Sequence, residues 1–505
     1  MPVDLDFTAA APLLALAGGG LAVLLADLFL PVPKARPWLF GLTLASLVLA
    51  AWWTLGLSQA GPAQSHLAGP VEAFGGALWG DRLGLALNLV ILAAALLATG
   101  LSLGRREEDV SGYLALLLWA AAGMMLVGGA GDLMVFFVAL ELLSLSLYVL
   151  VAFAPHAQAR EAAFKYFLLG SAASALFVLG AAFLFGAAGG LGFRDLAAVA
   201  RVGTGDPLFL AGSSLVLAGL AFKLALVPFH VWVPDVYQGA ATPVTAFMSV
   251  GTKAAALAGL IRFLISLVPP DAPAAGPVLA PLWVMALLSM LVGTLAALGQ
   301  TNIKRILGYS GIAHAGYLVM ALPNLTAAGL EAAFFYLGAY TVTNLGAFGV
   351  VAWLEAEGRP GSELQAYTGL FYEKPWLAAL MTLFLVSLAG IAPTAGFVGK
   401  LLLLKAVLGA QAGPWGWALI GGLVVTTVIS AFVYLRVVRQ MVLPVASQGQ
   451  LQPAEVAAAS GGLAAGRGVL AGIGLVLLVS AWGTLQLGLW PQSLLPWVTG
   501  LLPPL

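Results

Sequence analysis

The sequence predicts an all-α, polytopic membrane protein of about fourteen transmembrane helices. Three observations carry this expectation. Of 505 residues, 61% are hydrophobic and only 8% charged, whereas soluble domains carry roughly 25% charged residues. Mean hydropathy is +1.02. Apolar runs of about 18 residues or more, long enough to cross a bilayer as helix, recur along almost the whole chain. In hydrocarbon every backbone polar group must find its partner within the protein, which leaves helices or a closed barrel. A barrel needs short strands of alternating polarity, and these runs are continuous.

Apolar length, together with Gly, Pro and charged breaks, places the helices in order. The first three, near 9–30, 38–57 and 79–103, form an N-terminal unit over 1–110. Five more, near 112–130, 132–154, 161–187, 207–230 and 240–268, make a group over 111–270. A second five, near 278–299, 303–322, 329–355, 375–409 and 415–442, occupy 271–443. The remainder, 444–505, holds a loop and a last helix near 468–490. In the seventh helix Lys223 is followed by Pro228, and in the twelfth Pro393 is followed by Lys400. An odd offset of five helices reverses membrane orientation, so the two groups read as inverted repeats with broken helices at corresponding places.

Basic residues set the orientation. Twelve fall on one side: Lys34, Arg36, Arg105, Arg106, Arg160, Lys304, Arg305, Arg359, Lys374, Arg436, Arg439 and Arg467. Four (Arg82, Arg194, Arg201, Arg262) fall on the other, and five lie within helices. The richer side is then cytoplasmic, and both termini lie outside. The start, MPVDLDFTAAAPLL, has Asp4 and Asp6 where a signal peptide would be basic, so it reads as the approach to the first membrane helix. The cytoplasmic loops 356–374 and 443–467 are either docking segments or solvated connectors. The outer stretch 58–78, with His66, carries no recognisable chemistry.

Composition narrows the function. A net charge of zero gives no reason to expect nucleic acid. The absence of cysteine excludes disulfides, thiolate-held iron–sulfur clusters and cysteine nucleophiles. His66, His156, His230 and His314 are too scattered for a metal site. No phosphate-binding loop, dinucleotide fingerprint or nucleophile motif stands in a soluble context.

The chemistry concentrates around FKLALVPFHVWVPDVYQGAATPVTAFMSVGTK, residues 222–253, which holds Lys223, Pro228, His230, Pro234, Asp235 and Lys253. A charge at the centre of a spanning helix costs about 2.5–3.5 kcal/mol on insertion scales, so such residues mark an ion path. Glu141 stands near the middle of the fifth helix, and Lys223 is its logical partner, either as a structural ion pair or as a functional one. Lys165 lies about one turn inside the sixth helix, where it can snorkel to the interface or bias that pair electrostatically. Lys253 is too deep in the eighth helix to snorkel. His314 in the tenth is a core histidine or a proton carrier. Lys400 in the broken twelfth completes the row, with Lys405 a little beyond. Lysine suits proton exchange because burial readily changes its proton affinity. Pro228 and Pro393 each remove a backbone donor and free a carbonyl, which provides polar backbone and room for water.

Four segments carry a resemblance: KLALVPFHVWVPDVYQGAATPVTAFMSVGTKAA, QTNIKRILGYSGIAHAGYLVMAL, YTVTNLGAFGVVAWLE and SLAGIAPTAGFVGKLLLLKAVL. They resemble the antiporter-like membrane subunits of proton-pumping NADH:quinone oxidoreductase (respiratory complex I), over roughly residues 110–440. VPDVYQGAATPVTAF and a lysine at 400 resemble the N-type subunit more than its L- and M-type relatives. Ala241 and Ala392 depart from the family pattern, each standing where a proline is usual.

The resemblance implies a fourteen-helix subunit of the membrane arm in a bacterial inner membrane. In that picture Glu141 and Lys223 are a coupling pair and Lys165 modulates it. Lys253 and His314 form a central hydrated axis, and Lys400 exchanges protons with the outside. NADH, FMN, iron–sulfur clusters and quinone would then be bound by other subunits, with none of these cofactors on this chain. Partners would be the M-type subunit, the small K- and J-type subunits, lipids and protons. The rivals are a cation/proton antiporter subunit, which would depend on sodium or potassium, and a structural scaffold that keeps idle charges.

Overall fold

The computed structural model describes residues 7–30, 35–58, 71–103, 109–202, 205–268, 276–323, 325–410, 413–444 and 467–496. His66, Lys34, Arg105, Arg106 and nearly all of the loop 443–467 lie outside the described residues. The chain is a helical bundle. Helices α1 (Ala11–Phe29) and α2 (Ala35–Ser58) pack against α3 (Arg82–Ser102) and α4 (Val110–Gly129). Next come α5 (Leu133–Ala152), α6 (Ala157–Ala188), the short α7 (Phe193–Val202), α8 (Pro207–Leu224), α9 (Val233–Gly239) and α10 (Thr242–Leu267). Then follow α11 (Gly276–Ala297), α12 (Ile303–Val319), α13 (Ala327–Ala356) and the single turn α14 (Leu370–Glu373). The chain continues with α15 (Pro375–Ala389), α16 (Ala395–Gly409), α17 (Gly413–Val442) and α18 (Arg467–Leu489).

Every predicted apolar segment is helical. Among the described residues twelve helices are long and apolar enough to cross a membrane. The segment predicted near 303–322 is shorter, at 17 residues, and the twelfth is two 15-residue pieces, α15 and α16. Four of the scarce carboxylates start helices: Asp81, Asp109, Asp132 and Asp206 accept from Gly84, Gly112, Val135 and Leu208 N–H at 2.7–2.9 Å, each satisfying a donor that the first turn leaves open.

Two helices make the centre. In α10 and α13, 94% and 83% of the apolar window is buried inside the protein, against 28% in α6 and α18. Small residues let neighbours close on α10. A Cβ on Gly259 would lie 2.2 Å from the Phe136 ring, and one on Gly251 would lie 2.7 Å from Met124 Sδ.

Three expectations need correction. Residues 71–80 are not a plain loop running into a helix but an antiparallel hairpin, β1 (Val71–Ala73) with β2 (Leu78–Gly80); three-residue strands are too short for alternation to register. Arg262, counted with the outer loops, is inside α10 and 5% exposed, because an ion pair with Asp81 at 2.8 Å compensates its charge. The loop 356–374 is not a solvated connector throughout. Tyr367 is fully buried and donates to the Gly361 carbonyl, and ion pairs Arg359–Glu373 and Lys374–Glu357 close the segment on itself.

Candidate functional site

The seventh predicted helix breaks at Ala225, which has φ +63°, and resumes at α9. Lys223 sits in the last turn of α8, where the unpaired carbonyls favour a cation. It is 3% exposed. Trp232 Nε1 donates to the Phe222 carbonyl at 3.2 Å, which also accepts from Ala225 N–H at 3.1 Å. The direct pair expected between Lys223 and Glu141 is not formed. Lys223 Nζ donates to Ser144 Oγ at 2.6 Å, and the half-buried Glu141 carboxylate accepts from Ser174 Oγ. The reason is helical register: Ser144 stands one turn after Glu141 on the same stripe of α5, as does Tyr148, whose ring centroid is 5.9 Å from Lys223 Nζ.

The twelfth helix is interrupted at 390–394. Gly390 combines φ +82° with a close approach, since a Cβ there would lie 2.7 Å from Lys400 Cδ. Lys400, 6% exposed, reaches back from α16 to the Ala389 carbonyl at the end of α15 (2.8 Å) and to Thr427 Oγ1 on α17 (3.1 Å). Both break lysines therefore sit at the carbonyl-bearing end of a half-helix. Pro228 and Pro393 lie within the two interrupted stretches. Both prolines are exposed, while backbone beside each break meets buried side chains: Val227 N–H donates to Ser289 Oγ and the Ala389 carbonyl accepts from Lys400 Nζ. His230, half-buried in the first break, has a buried Nδ1 with no hydrogen-bond partner among the described residues. Lys405 is exposed and lies, with Glu331, in a groove between α13 and α16.

Between the breaks lies a junction of α10, α12 and α13. Lys253 is 1% exposed, with Nζ 5.8 Å from the Tyr340 ring centroid. The Tyr340 and His314 rings are 4.9 Å apart, and His314 Nδ1 is 2.6 Å from the Tyr336 hydroxyl. Tyr317 stands against His314 and, on its other side, 4.9 Å from Lys400 Nζ. Its hydroxyl donates to Thr426 Oγ1 at 2.8 Å. A small cavity lined by Ser310, His314, Tyr317, Ser430 and Tyr434 adjoins this step. Lys253, His314 and Lys400 are thus brought together through tyrosines.

Lys165 is not part of that row. At 44% side-chain exposure it pairs with Glu161 and Asp235 at 2.8 Å, and Asp235 also pairs with Arg305 at 2.7 Å. The nearby His156 caps α6, its Nδ1 accepting from Ala159 N–H at 3.1 Å. Partial burial, then Lys304 and Arg160, hold this imidazole below the ordinary histidine value, against an upward pull from Glu355. A depressed histidine contributes stability above its ordinary pKa of about 6.5, and that contribution is lost as pH falls through the lower folded value. Lower protection of the Ala159 amide, relative to its intrinsic exchange rate at each pH, is expected below that value, and protection that does not change with pH would refute the cap.

Sequence reasoning missed Ser144, Ser174, Tyr317, Tyr336, Tyr340 and Asn344, whose Nδ2 donates to Ser249 Oγ at 2.6 Å. A signal was present: Tyr336, Tyr340 and Asn344 recur every four residues, one helical face. Among the described residues no group of three or more His, Cys, Asp or Glu is placed to hold a metal ion.

A family model described as NADH:quinone oxidoreductase/Mrp antiporter, transmembrane, matches residues 130–430. NADH-quinone oxidoreductase subunit N 1 of Symbiobacterium thermophilum is 46% identical, with 97% of each chain covered. A chain of respiratory complex I from Thermus thermophilus superposes with a TM-score of 0.74 at 35% identity, covering 96% of this chain and 98% of that one. A chain of the Mrp complex from a Dietzia species gives 0.77 at 23% identity over 98% and 97%, a likeness of fold.

Proposed function

Because the chain belongs to the NADH:quinone oxidoreductase/Mrp antiporter family, as a subunit of the N type, we propose that its proton path runs along Lys223, Lys253, His314 and Lys400. The protein is an antiporter-like, proton-translocating membrane subunit of respiratory complex I. The observation that carries the path is burial: three lysines, 3%, 1% and 6% exposed, lie on the α8, α10 and α16 helices of one bundle.

Electron transfer in other subunits, which hold NADH, FMN, iron–sulfur clusters and quinone, shifts the charge near Glu141. Ser144 relays that shift to Lys223. The proton affinity of Lys253 changes in turn, and a proton passes by His314 to Lys400, which releases it outside. Lys165 acts from the cytoplasmic end through Asp235. The chain spans the inner membrane fourteen times with both termini outside, and 111–270 and 271–443 are inverted repeats. The corresponding placement of both break lysines at half-helix carbonyl ends supports this symmetry. The M-type subunit and the small K- and J-type subunits are its neighbours, with lipid around them.

The test is NADH-driven proton pumping in membranes carrying Lys223→Ala, with assembly of the complex verified. A several-fold fall in pumping and quinone reduction together is expected. Normal values for both would show Lys223 to be structural and remove it from the path. Sodium- or potassium-driven proton exchange without NADH would favour a cation antiporter.

A further inference from the structure

We infer that Tyr340 and the bare backbone of Gly311 position a water molecule that passes the proton between Lys253 and His314, which makes both of them positioning residues. The inference rests on the proton path proposed above.

Lys253 Nζ has no hydrogen-bond acceptor among the described residues, its charge meeting only the face of the Tyr340 ring. The Tyr340 hydroxyl is buried and likewise has no protein partner. Leaving such groups unsatisfied is costly, and two of them converge on one place. A Cβ built on Gly311 would lie 3.2 Å from the Tyr340 oxygen and 3.3 Å from Lys253 Nζ. The space over the Gly311 Cα is therefore flanked by a donor on one side and a donor–acceptor hydroxyl on the other. A buried water needs two to four such partners.

His314 follows Gly311 by three residues on α12, so it lies on the same face one turn on. Its ring borders that of Tyr340. In the tautomer that donates Nδ1–H to the Tyr336 oxygen, Nε2 carries the lone pair that takes the proton. The step balances as one proton leaving the Lys253 ammonium for the water and one leaving the water for Nε2. The amine is left neutral, the imidazole becomes cationic, and Tyr340 orients the water unchanged.

Gly311→Ala puts a methyl group where the two polar groups converge, and Tyr340→Phe removes the hydroxyl but keeps the ring under Lys253. Gly308→Ala is the control, one turn earlier on α12, where a Cβ meets Tyr237 at 3.4 Å and Val233 at 3.6 Å, both ordinary contacts. NADH-driven pumping by the assembled complex is measured in H2O and in D2O. Both variants are expected to pump several-fold more slowly, with a larger H2O/D2O rate ratio, because proton transfer becomes limiting; Gly308→Ala changes neither. If Gly311→Ala does not assemble, Tyr340→Phe decides alone. Normal pumping, or slower pumping with an unchanged isotope ratio, overturns the inference. Lys253→Met separates the two levels: if it is inactive while these variants pump normally, only the water site falls, and if it pumps normally the path itself falls.

Discussion

Arg262→Met is expected to leave little assembled subunit in the membrane. The side chain is 4% exposed and stands near the C-terminal end of α10. One nitrogen both pairs with Asp81 at 2.8 Å and donates to the Gly128 carbonyl near the end of α4. The group also lies 5.1 Å over the Trp79 ring of the hairpin. Asp81 in turn caps α3. One residue therefore ties four elements together. Breaking a buried pair by removing one partner costs about 3–5 kcal/mol, because the remaining charge is left uncompensated, and whole domains are stable by only about 5–15 kcal/mol. Subunit abundance and native-gel assembly are the measurements. Adding Asp81→Asn is expected to restore part of the loss, since the amide still accepts from Gly84 N–H without a buried charge. Wild-type abundance of Arg262→Met alone would show that the pair contributes nothing.

Lys253→Met is expected to do the reverse: full assembly with pumping lost. Lys253 has no acceptor among the described residues, so removing it orphans no partner, and methionine fills a similar volume without the buried charge. Function should suffer severely, because positioned proton donors contribute roughly 10²–10⁴-fold to the steps they serve. A fall in NADH-driven pumping of about a hundredfold is expected, in a complex as abundant and thermally stable as the parent. Pumping near the parental rate would end the case for Lys253 as a carrier. Reduced abundance would instead show an unseen structural partner. The opposite signatures of Arg262 and Lys253, nine residues apart on one helix, separate a paired charge from an unpaired one.

Much of this was legible in the sequence. Helix positions follow from runs of apolar length, and the two breaks were expected at Pro228 and Pro393. The depth of Lys223, Lys253, His314 and Lys400 follows from counting along each run. These are local properties, dictated by the hydrocarbon in which each segment must satisfy its own backbone.

Which side chains meet was decided elsewhere. Lys223 was expected on Glu141 and is held by Ser144; Arg262 was expected in a loop and is buried on Asp81; Gly311 carried no signal that set it apart from the other helix glycines. A helix that is apolar on every side gives no indication of which face looks inward. Rotation and crossing of the helices are set by contacts such as Phe136 against Gly259, which exist only once the bundle has closed. The sequence by itself determined which helices would carry buried charges, and the packing of small residues against large ones decided which partners each charge would find.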